Sequence, residues 1–183
     1  MDKILVIYNS KYGHTKNYAQ WLVEELNADI CEDKNLTADK LKNYNTIIFG
    51  GSLYAGRNKG AVALVKYFEQ IKDKKNVLFT VGMYDTNSEK NIIGINNELN
   101  KVITPEIRDK VKIFHVRGGI DCDNLSFPHK MMMKIAHSVL SKKPENKQTD
   151  GDKDFLKLYG KKIDFSNKKM LEPIIQYCCQ TVE

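Results

Sequence analysis

The chain has 183 residues, 42% of them hydrophobic, and its 29 lysines and arginines outnumber 23 aspartates and glutamates, which gives a formal charge of +6. This size supports one substantial core, so we expect a single domain over residues 1 to 183. No apolar stretch approaches the roughly 18 residues that cross a bilayer, and no secretory leader precedes the first strand, which argues against a membrane-spanning or secreted protein and predicts a cytoplasmic one.

Apolar runs typical of buried strands alternate with helical patterns along the chain. The predicted strands are residues 3 to 8, 28 to 31, 46 to 50, 76 to 82 and 111 to 117. The predicted helices are residues 14 to 27, 59 to 72, 88 to 101 and 152 to 165. The polar segment 33 to 43 predicts one short helical turn around residues 37 to 41, or only a loop. This alternation predicts a doubly wound, five-stranded parallel sheet covered by helices on both faces, an α/β fold of three layers.

The first strand leads through a short turn into the first helix, and this turn predicts a phosphate site. A helix begins with unpaired N–H groups and a positive dipole end, which attract an anion. Ser10 and Thr15 add hydroxyl groups, and Gly13 lets the backbone approach closely. The alternative is that these three are ordinary turn and capping residues. No Walker-type loop, dinucleotide fingerprint or loop cysteine occurs here.

Glycine-containing segments follow the third, fourth and fifth predicted strands. In an open doubly wound sheet, ligands bind beyond the carboxyl ends of the strands, so these segments meet at the ligand edge. Tyr54 and Tyr84 offer flat apolar faces there, between which a planar ring fits. Read singly, each tyrosine is equally well explained as an exposed loop residue. We expect the following cofactor-binding residues at this edge: Ser10, Lys11, Tyr12, Gly13, His14 and Thr15; Ser52, Leu53, Tyr54, Ala55 and Gly56; Gly82, Met83 and Tyr84; Gly118 and Gly119.

The whole pattern resembles the flavodoxin family. The segment Ser10-Lys-Tyr-Gly13-His-Thr15 is similar to that family's phosphate loop, Ser/Thr-x-Thr-Gly-x-Thr, except that Tyr12 replaces a threonine and removes one hydroxyl group. The resemblance implies the strand order 2-1-3-4-5 and FMN as the cofactor. It also implies that residues 52 to 56 flank the flavin on one side and residues 82 to 84 on the other.

Two segments resemble one branch of that family, the menaquinone-dependent protoporphyrinogen dehydrogenases. One runs from Phe49 to Gly56 and leads into a helix containing Val65-Lys-Tyr-Phe68. The other is an insertion at about residues 119 to 150, between strand five and the last helix, with a Met-rich, basic helical segment. This likeness implies an FMN-dependent oxidoreductase that oxidises a porphyrinogen and passes the electrons to a quinone, with no assigned catalytic side chain.

Charge gives an independent indication of the partner. Five lysines and one glutamate lie between His129 and Lys147, interleaved with apolar residues. Such a basic amphipathic segment suits an anionic membrane surface or the propionates of a porphyrin, so we expect a peripheral membrane contact through residues 129 to 147 at the inner face of the membrane. The alternative is a helix packed on its own domain with solvated lysines.

Other functions stay open or are disfavoured at this point. A one-electron carrier without a substrate of its own, serving a redox partner protein, is the main alternative, and a binding module that has lost tight FMN is a third. Nucleic acid is not expected, because the lysines are scattered and only three arginines occur. The four cysteines lack Cys-x-x-Cys spacing, so we expect neither a metal site nor a disulfide. Pro173 is expected to interrupt any helix in the C-terminal tail.

Overall fold

A computed structural model describes residues 3 to 54 and 57 to 180; the side chains of Tyr54 and Arg57 lie outside this description. Its centre is a sheet in the order β2-β1-β3-β5-β6, with every neighbouring pair parallel. Counted along the chain, these five strands have the order 2-1-3-4-5, which confirms the predicted topology. The strands that build or flank this sheet are β1 (Ile4–Asn9), β2 (Asp29–Glu32), β3 (Thr46–Tyr54), β4 (Arg57–Asn58), β5 (Lys75–Gly82) and β6 (Val111–Arg117).

Helices cover both faces of this sheet, because side chains alternate between the faces along each strand. Leu5 and Ile7 face a core shared with α3 and α4, while Val6 faces a core shared with α1 and α8. None of the helices in the described ranges is long and apolar enough to cross a membrane. The helices are α1 (His14–Leu26), α2 (Ala38–Leu41), α3 (Lys59–Ile71), α4 (Glu89–Leu99), α5 (Pro105–Asp109), α6 (Phe127–Leu140), α7 (Asp150–Leu158) and α8 (Glu172–Cys179).

The predicted strands match β1, β2, β5 and β6 within two residues at each end, but β3 is longer than the predicted residues 46 to 50. It extends to Tyr54 because β4 turns back and pairs antiparallel with residues 53 and 54. The segment 33 to 43 contains a 3₁₀ turn and the short helix α2, which Thr37 caps by accepting a hydrogen bond from Lys40 N at 3.3 Å. Of the two alternatives given for this segment, the structure therefore has the short helical turn.

The predicted helix over residues 152 to 165 is wrong in its second half. Helix α7 ends at Leu158, and Gly160 then adopts a φ of 75°, a left-handed conformation that stops the helix. The chain continues into β8 (Lys162–Asp164), which pairs antiparallel with β7 (Gly119–Asp121). This two-stranded sheet holds the residues after β6 beside His14 at the start of α1.

The expectation for Pro173 is also wrong. Pro173 lies in the first turn of α8, where no intrahelical partner for its missing N–H is needed. Leu171 and Ile174 are fully buried and pack in the core beside α1. Helix α8 therefore completes the layer that covers one face of the sheet, whereas α7 packs against α4 and α6.

Candidate functional site

The predicted phosphate loop joins β1 to α1 at the carboxyl edge of the sheet. Gly13 precedes the helix with φ 96° and ψ −34°, a conformation that an L-residue adopts only with strain, and no side chain caps α1. Within the loop the Gly13 N–H donates to Ser10 Oγ at 3.2 Å. Thr15 is 1% exposed in the first turn of the helix. The first-turn N–H groups, which have no intrahelical partner, thus point toward the space beside Gly13.

The space beside Gly13 is open, so a ligand atom can approach the backbone of the loop closely. A Cβ built on Gly13 meets no heavy atom within 4 Å. The combination of free N–H donors, a positive helix end and an open approach is the chemistry that binds a phosphate. The residues present therefore fit the phosphate of a mononucleotide.

The last residues of β3, which lead into the next loop, lie directly beside the end of β5. Ser52 pairs with Val81 in the register of the sheet, and Leu53 Cδ1 is 3.3 Å from the position of a Cβ on Gly82. Ser52, Leu53 and Gly82 are thus brought together, as predicted from their positions at strand ends. Of the remaining predicted residues of this loop, the Tyr54 side chain, Ala55 and Gly56 lie outside the described residues.

Asn58 anchors this loop and is not among the residues predicted from sequence. Its side chain is 2% exposed, accepts a hydrogen bond from Ala61 N and donates one to the Gly51 carbonyl, both at 2.8 Å. It therefore caps α3 and fixes the end of β3 at the same time. An asparagine just before an apolar helical pattern is a capping signal that the sequence does contain.

The loop after β5 is held by its neighbour β6. The Gly82 carbonyl accepts a hydrogen bond from Gly118 N at 2.7 Å, and the Met83 carbonyl accepts one from Arg117 Nε at 3.1 Å. The guanidinium group of Arg117 in turn lies 3.7 Å from the centre of the Phe165 ring. The backbone of residues 82 and 83 is therefore fixed before any ligand binds.

Tyr84 packs against α7 as well as following the end of β5. A Cβ on Gly151 in α7 would be 3.4 Å from the Tyr84 ring. Burial raises the pKa of the Tyr84 phenol, and the nearby carboxylates of Asp152 and Asp154 raise it further. Tyr84 is therefore neutral over the physiological range.

His14, Gly118 and Gly119 form a packed group at one side of the phosphate loop. The His14 Nδ1 atom is 3.2 Å from Ser166 Oγ and 3.4 Å from the Asp164 carboxylate. A Cβ on Gly119 would lie 2.3 Å from the Ile163 carbonyl oxygen. Close backbone packing in the two-stranded β7–β8 sheet therefore accounts for the glycine at position 119, and its contact with a cofactor stays a prediction.

Lys11 and Tyr12 reach across the loop to the start of α6. Lys11 Nζ lies 3.3 Å from both Ser126 Oγ and His129 Nε2, and the Tyr12 hydroxyl bonds to His129 Nδ1. Because Lys11 can only donate, a neutral His129 accepts at Nε2 and donates from Nδ1 to Tyr12. Burial lowers the pKa of His129, and the charge of Lys11 lowers it further. These contacts span more than 110 residues of sequence and had no local signal.

A family model described as a flavodoxin domain matches residues 5 to 148 of this chain. An uncharacterized protein of Methanocaldococcus jannaschii is 27% identical over 125 residues, which cover 66% of this chain and 74% of the relative.

Solved structures with a similar arrangement include two flavodoxins. The oxidised flavodoxin 2 of Bacillus cereus is 22% identical, with a TM-score of 0.44 over 63% of this chain and 84% of that one. The flavodoxin of Fusobacterium nucleatum, solved with bound flavin mononucleotide, is 17% identical, with a TM-score of 0.43 over 69% of this chain and 75% of that one.

Proposed function

The chain belongs to the flavodoxin domain family, and from this premise we propose that it is an FMN-binding redox protein. The observation that carries the proposal is the uncapped N-terminus of α1 behind Gly13, which lies at the same sheet edge as residues 52, 53 and 82. A phosphate group joined by a short chain to a planar ring is a ligand that would reach both an anion site and two strand ends at one edge of the sheet.

The residues have distinct roles in this proposal. The first-turn N–H groups of α1 and the hydroxyl groups of Ser10 and Thr15 hold the phosphate, whose charge the helix dipole stabilises. Residues 52 to 56 and 82 to 84 orient the ring and limit its contact with water. FMN, when bound, supplies the electron transfer, and no side-chain nucleophile is needed.

We propose further that this protein is an oxidoreductase that takes electrons from a porphyrinogen and gives them to a quinone. In such a reaction the porphyrinogen loses electron pairs together with protons, and the quinone gains two electrons and two protons. The basic helix α6 supports this substrate class, because it starts at the phosphate loop and exposes Lys130 and Lys134, which can attract propionate groups.

The competing function is a one-electron carrier without its own substrate. Such carriers often stabilise the one-electron state of the flavin by a peptide flip in a glycine-containing flavin loop, and Gly82 and Gly56 are the two glycines that permit one here. In this protein, a flip of the peptide after Gly82 would break the hydrogen bond between the Gly82 carbonyl and Gly118 N, which costs about 1 kcal/mol. This hydrogen bond opposes a flip after Gly82; Gly56, the other glycine that permits a flip, lies outside the described residues. His137, a second histidine of α6, stacks on Tyr159 with ring centres 4.1 Å apart, which supports a packing role for it.

The test is an anaerobic experiment on protein loaded with FMN. The flavin is reduced with light, and the reduced protein is mixed with menaquinone; in a second experiment, the oxidised protein is mixed with protoporphyrinogen. Rapid reoxidation by the quinone and rapid bleaching by the porphyrinogen are expected. A flavin that binds but responds to neither compound would leave the FMN proposal standing and overturn the oxidoreductase proposal in favour of the carrier.

A further inference from the structure

Helix α6 has an exposed apolar stripe. Phe127, Met131, Ile135 and Val139 are spaced four apart and therefore lie on one side of the helix. Their exposed fractions are 76%, 44%, 58% and 63%. None of the 14 residues of α6 is buried, although the helix is as long as α1 or α3 within one residue. This amount of contiguous exposed apolar surface indicates an interaction site.

The opposite side of α6 is the one that the protein itself covers. His129 contacts Tyr12, His137 stacks on Tyr159, and the helix packs against α7. Met133, Ala136 and Leu140 lie on this half-buried side as well. The orientation of α6 is therefore fixed by contacts on one side, and the stripe faces away from the domain.

A row of lysines runs along one edge of the stripe. Lys130 and Lys134 are exposed and precede Met131 and Ile135 by one position, and neither forms a salt bridge within the part of the chain that the structure describes. Lys143, by contrast, is paired with Asp152 at 2.6 Å. Apolar residues bordered by unpaired lysines are the arrangement that lets a helix lie in a membrane interface, with the lysine stems reaching to anionic headgroups.

We propose that this face of α6, formed by Phe127, Lys130, Met131, Lys134, Ile135 and Val139, docks onto an anionic lipid surface. The helix would lie in the plane of the interface with its apolar stripe among the upper parts of the acyl chains. A second copy of this chain is a less suitable occupant, because each copy carries a formal charge of +6 and like charges oppose the pairing.

Docking in this orientation also places the phosphate loop close to the lipid. The hydrogen bonds from Lys11 to Ser126 and His129 join that loop to the first turn of α6. If FMN binds there, which rests on the proposed function above, a lipid-soluble quinone has a short path to it. The docking itself does not depend on FMN.

The experiment is flotation of the full chain with vesicles of phosphatidylcholine alone or mixed with phosphatidylglycerol. We expect binding only to the mixed vesicles, and weaker binding at high salt. Removing two lysine charges with Lys130→Gln and Lys134→Gln should weaken binding about 25-fold, since each lysine near the surface contributes about fivefold. The matched charge control is Lys110→Gln with Lys112→Gln, two exposed lysines at the start of β6.

The apolar stripe is tested with Ile135→Ser and Val139→Ser, which should weaken binding more than about tenfold. The matched control is Ile93→Ser with Val62→Ser, the same residue types at other exposed sites: Ile93 and Ile135 are both 58% exposed, and Val62 is 49% exposed. All four positions are on the surface, so each variant should fold, which circular dichroism and thermal melting verify.

Absence of binding to the mixed vesicles would overturn the proposal, as would equal binding by the Ile135 and Val139 variant. A wild-type dimer that this variant dissociates would also overturn it and would assign the face to a second copy. The FMN content of each sample is measured separately. Loss of FMN with intact vesicle binding would contradict the cofactor proposal alone, and the reverse result would contradict the docking proposal alone.

Discussion

Replacing Gly13 with alanine tests the phosphate loop most sharply, because the structure separates two effects. A Cβ at this position meets no heavy atom within 4 Å, so no steric clash contributes. The φ of 96° is positive, however, and holding an L-residue there costs about 1–2 kcal/mol. We expect Gly13→Ala to lower the free energy of unfolding of the apoprotein by that amount.

The same change should also weaken FMN binding. Relief of the strain rotates the peptide after residue 13 and turns an N–H group of the first turn of α1 away from the phosphate. A hydrogen bond to a charged group contributes about 1.5–3 kcal/mol, so the dissociation constant should rise about 10- to 150-fold. Calorimetric titration of the apoprotein with FMN measures this directly.

Gly160→Ala is the matched control. Gly160 also has a positive φ, of 75°, and open space around its Cβ position, but it lies after α7 in the loop to β8. Both variants should lose similar stability in urea unfolding, and only Gly13→Ala should lose FMN affinity. Wild-type affinity in a Gly13→Ala variant that shows the stability loss would refute the role of this loop.

Three further outcomes are expected. Tyr12→Phe removes the hydroxyl bonded to His129, so amide hydrogen exchange at residues 127 to 131 should become faster. The control is Tyr67→Phe, which removes a 2.9 Å hydrogen bond to the Leu36 carbonyl and should leave exchange at residues 127 to 131 unchanged. Equal exchange in both variants would contradict the contact between Tyr12 and His129. Burial and the charge of Arg108 lower the pKa of His115 to about 4. In the unfolded chain the pKa of His115 is about 6.5, so the unfolded state takes up the proton first as pH falls. The unfolding free energy should therefore fall by up to about 3 kcal/mol as pH drops from about 6.5 to 4. His115→Asn, which can keep the 2.7 Å hydrogen bond to Thr80, should flatten the dependence of unfolding free energy on pH. An unchanged dependence in this variant would contradict its assignment to His115. Gly51→Ala places a Cβ 2.4 Å from Gly60 N and should destabilise the protein by more than about 3 kcal/mol. Gly94→Ala, in open space within α4, should stabilise it by up to about 1 kcal/mol. Chemical denaturation compares the two variants, and a tolerated alanine at position 51 would contradict the close approach of β3 and α3.

The central sheet was predictable from sequence because its strands are buried on both faces. Leu5, Val6 and Ile7 form an unbroken apolar run, and all three are at most 1% exposed. The loop after β1 was predictable for a similar reason, since Gly13 and Thr15 lie at fixed offsets from that run. Local pattern and tertiary structure agree at these positions.

The insertion and the segment after α7 were less predictable, because their strands and contacts carry little local signal. β7 and β8 have three residues each, none of them buried, so no alternation marks them as a pair. The helix predicted over residues 152 to 165 ran through Gly160, although a glycine directly after a helical pattern is a common helix-ending signal. The contact between Tyr12 and His129 joins distant segments and depends on the packing of α6 on α7.

The most direct test of the central claim is a titration of the apoprotein with FMN and, separately, with riboflavin, which lacks the phosphate. If the N-terminus of α1 holds the phosphate through at least two charge-assisted hydrogen bonds, FMN should bind at least about 100-fold more tightly than riboflavin. Equal affinities for the two flavins, or no binding of either, would contradict the assignment of this loop.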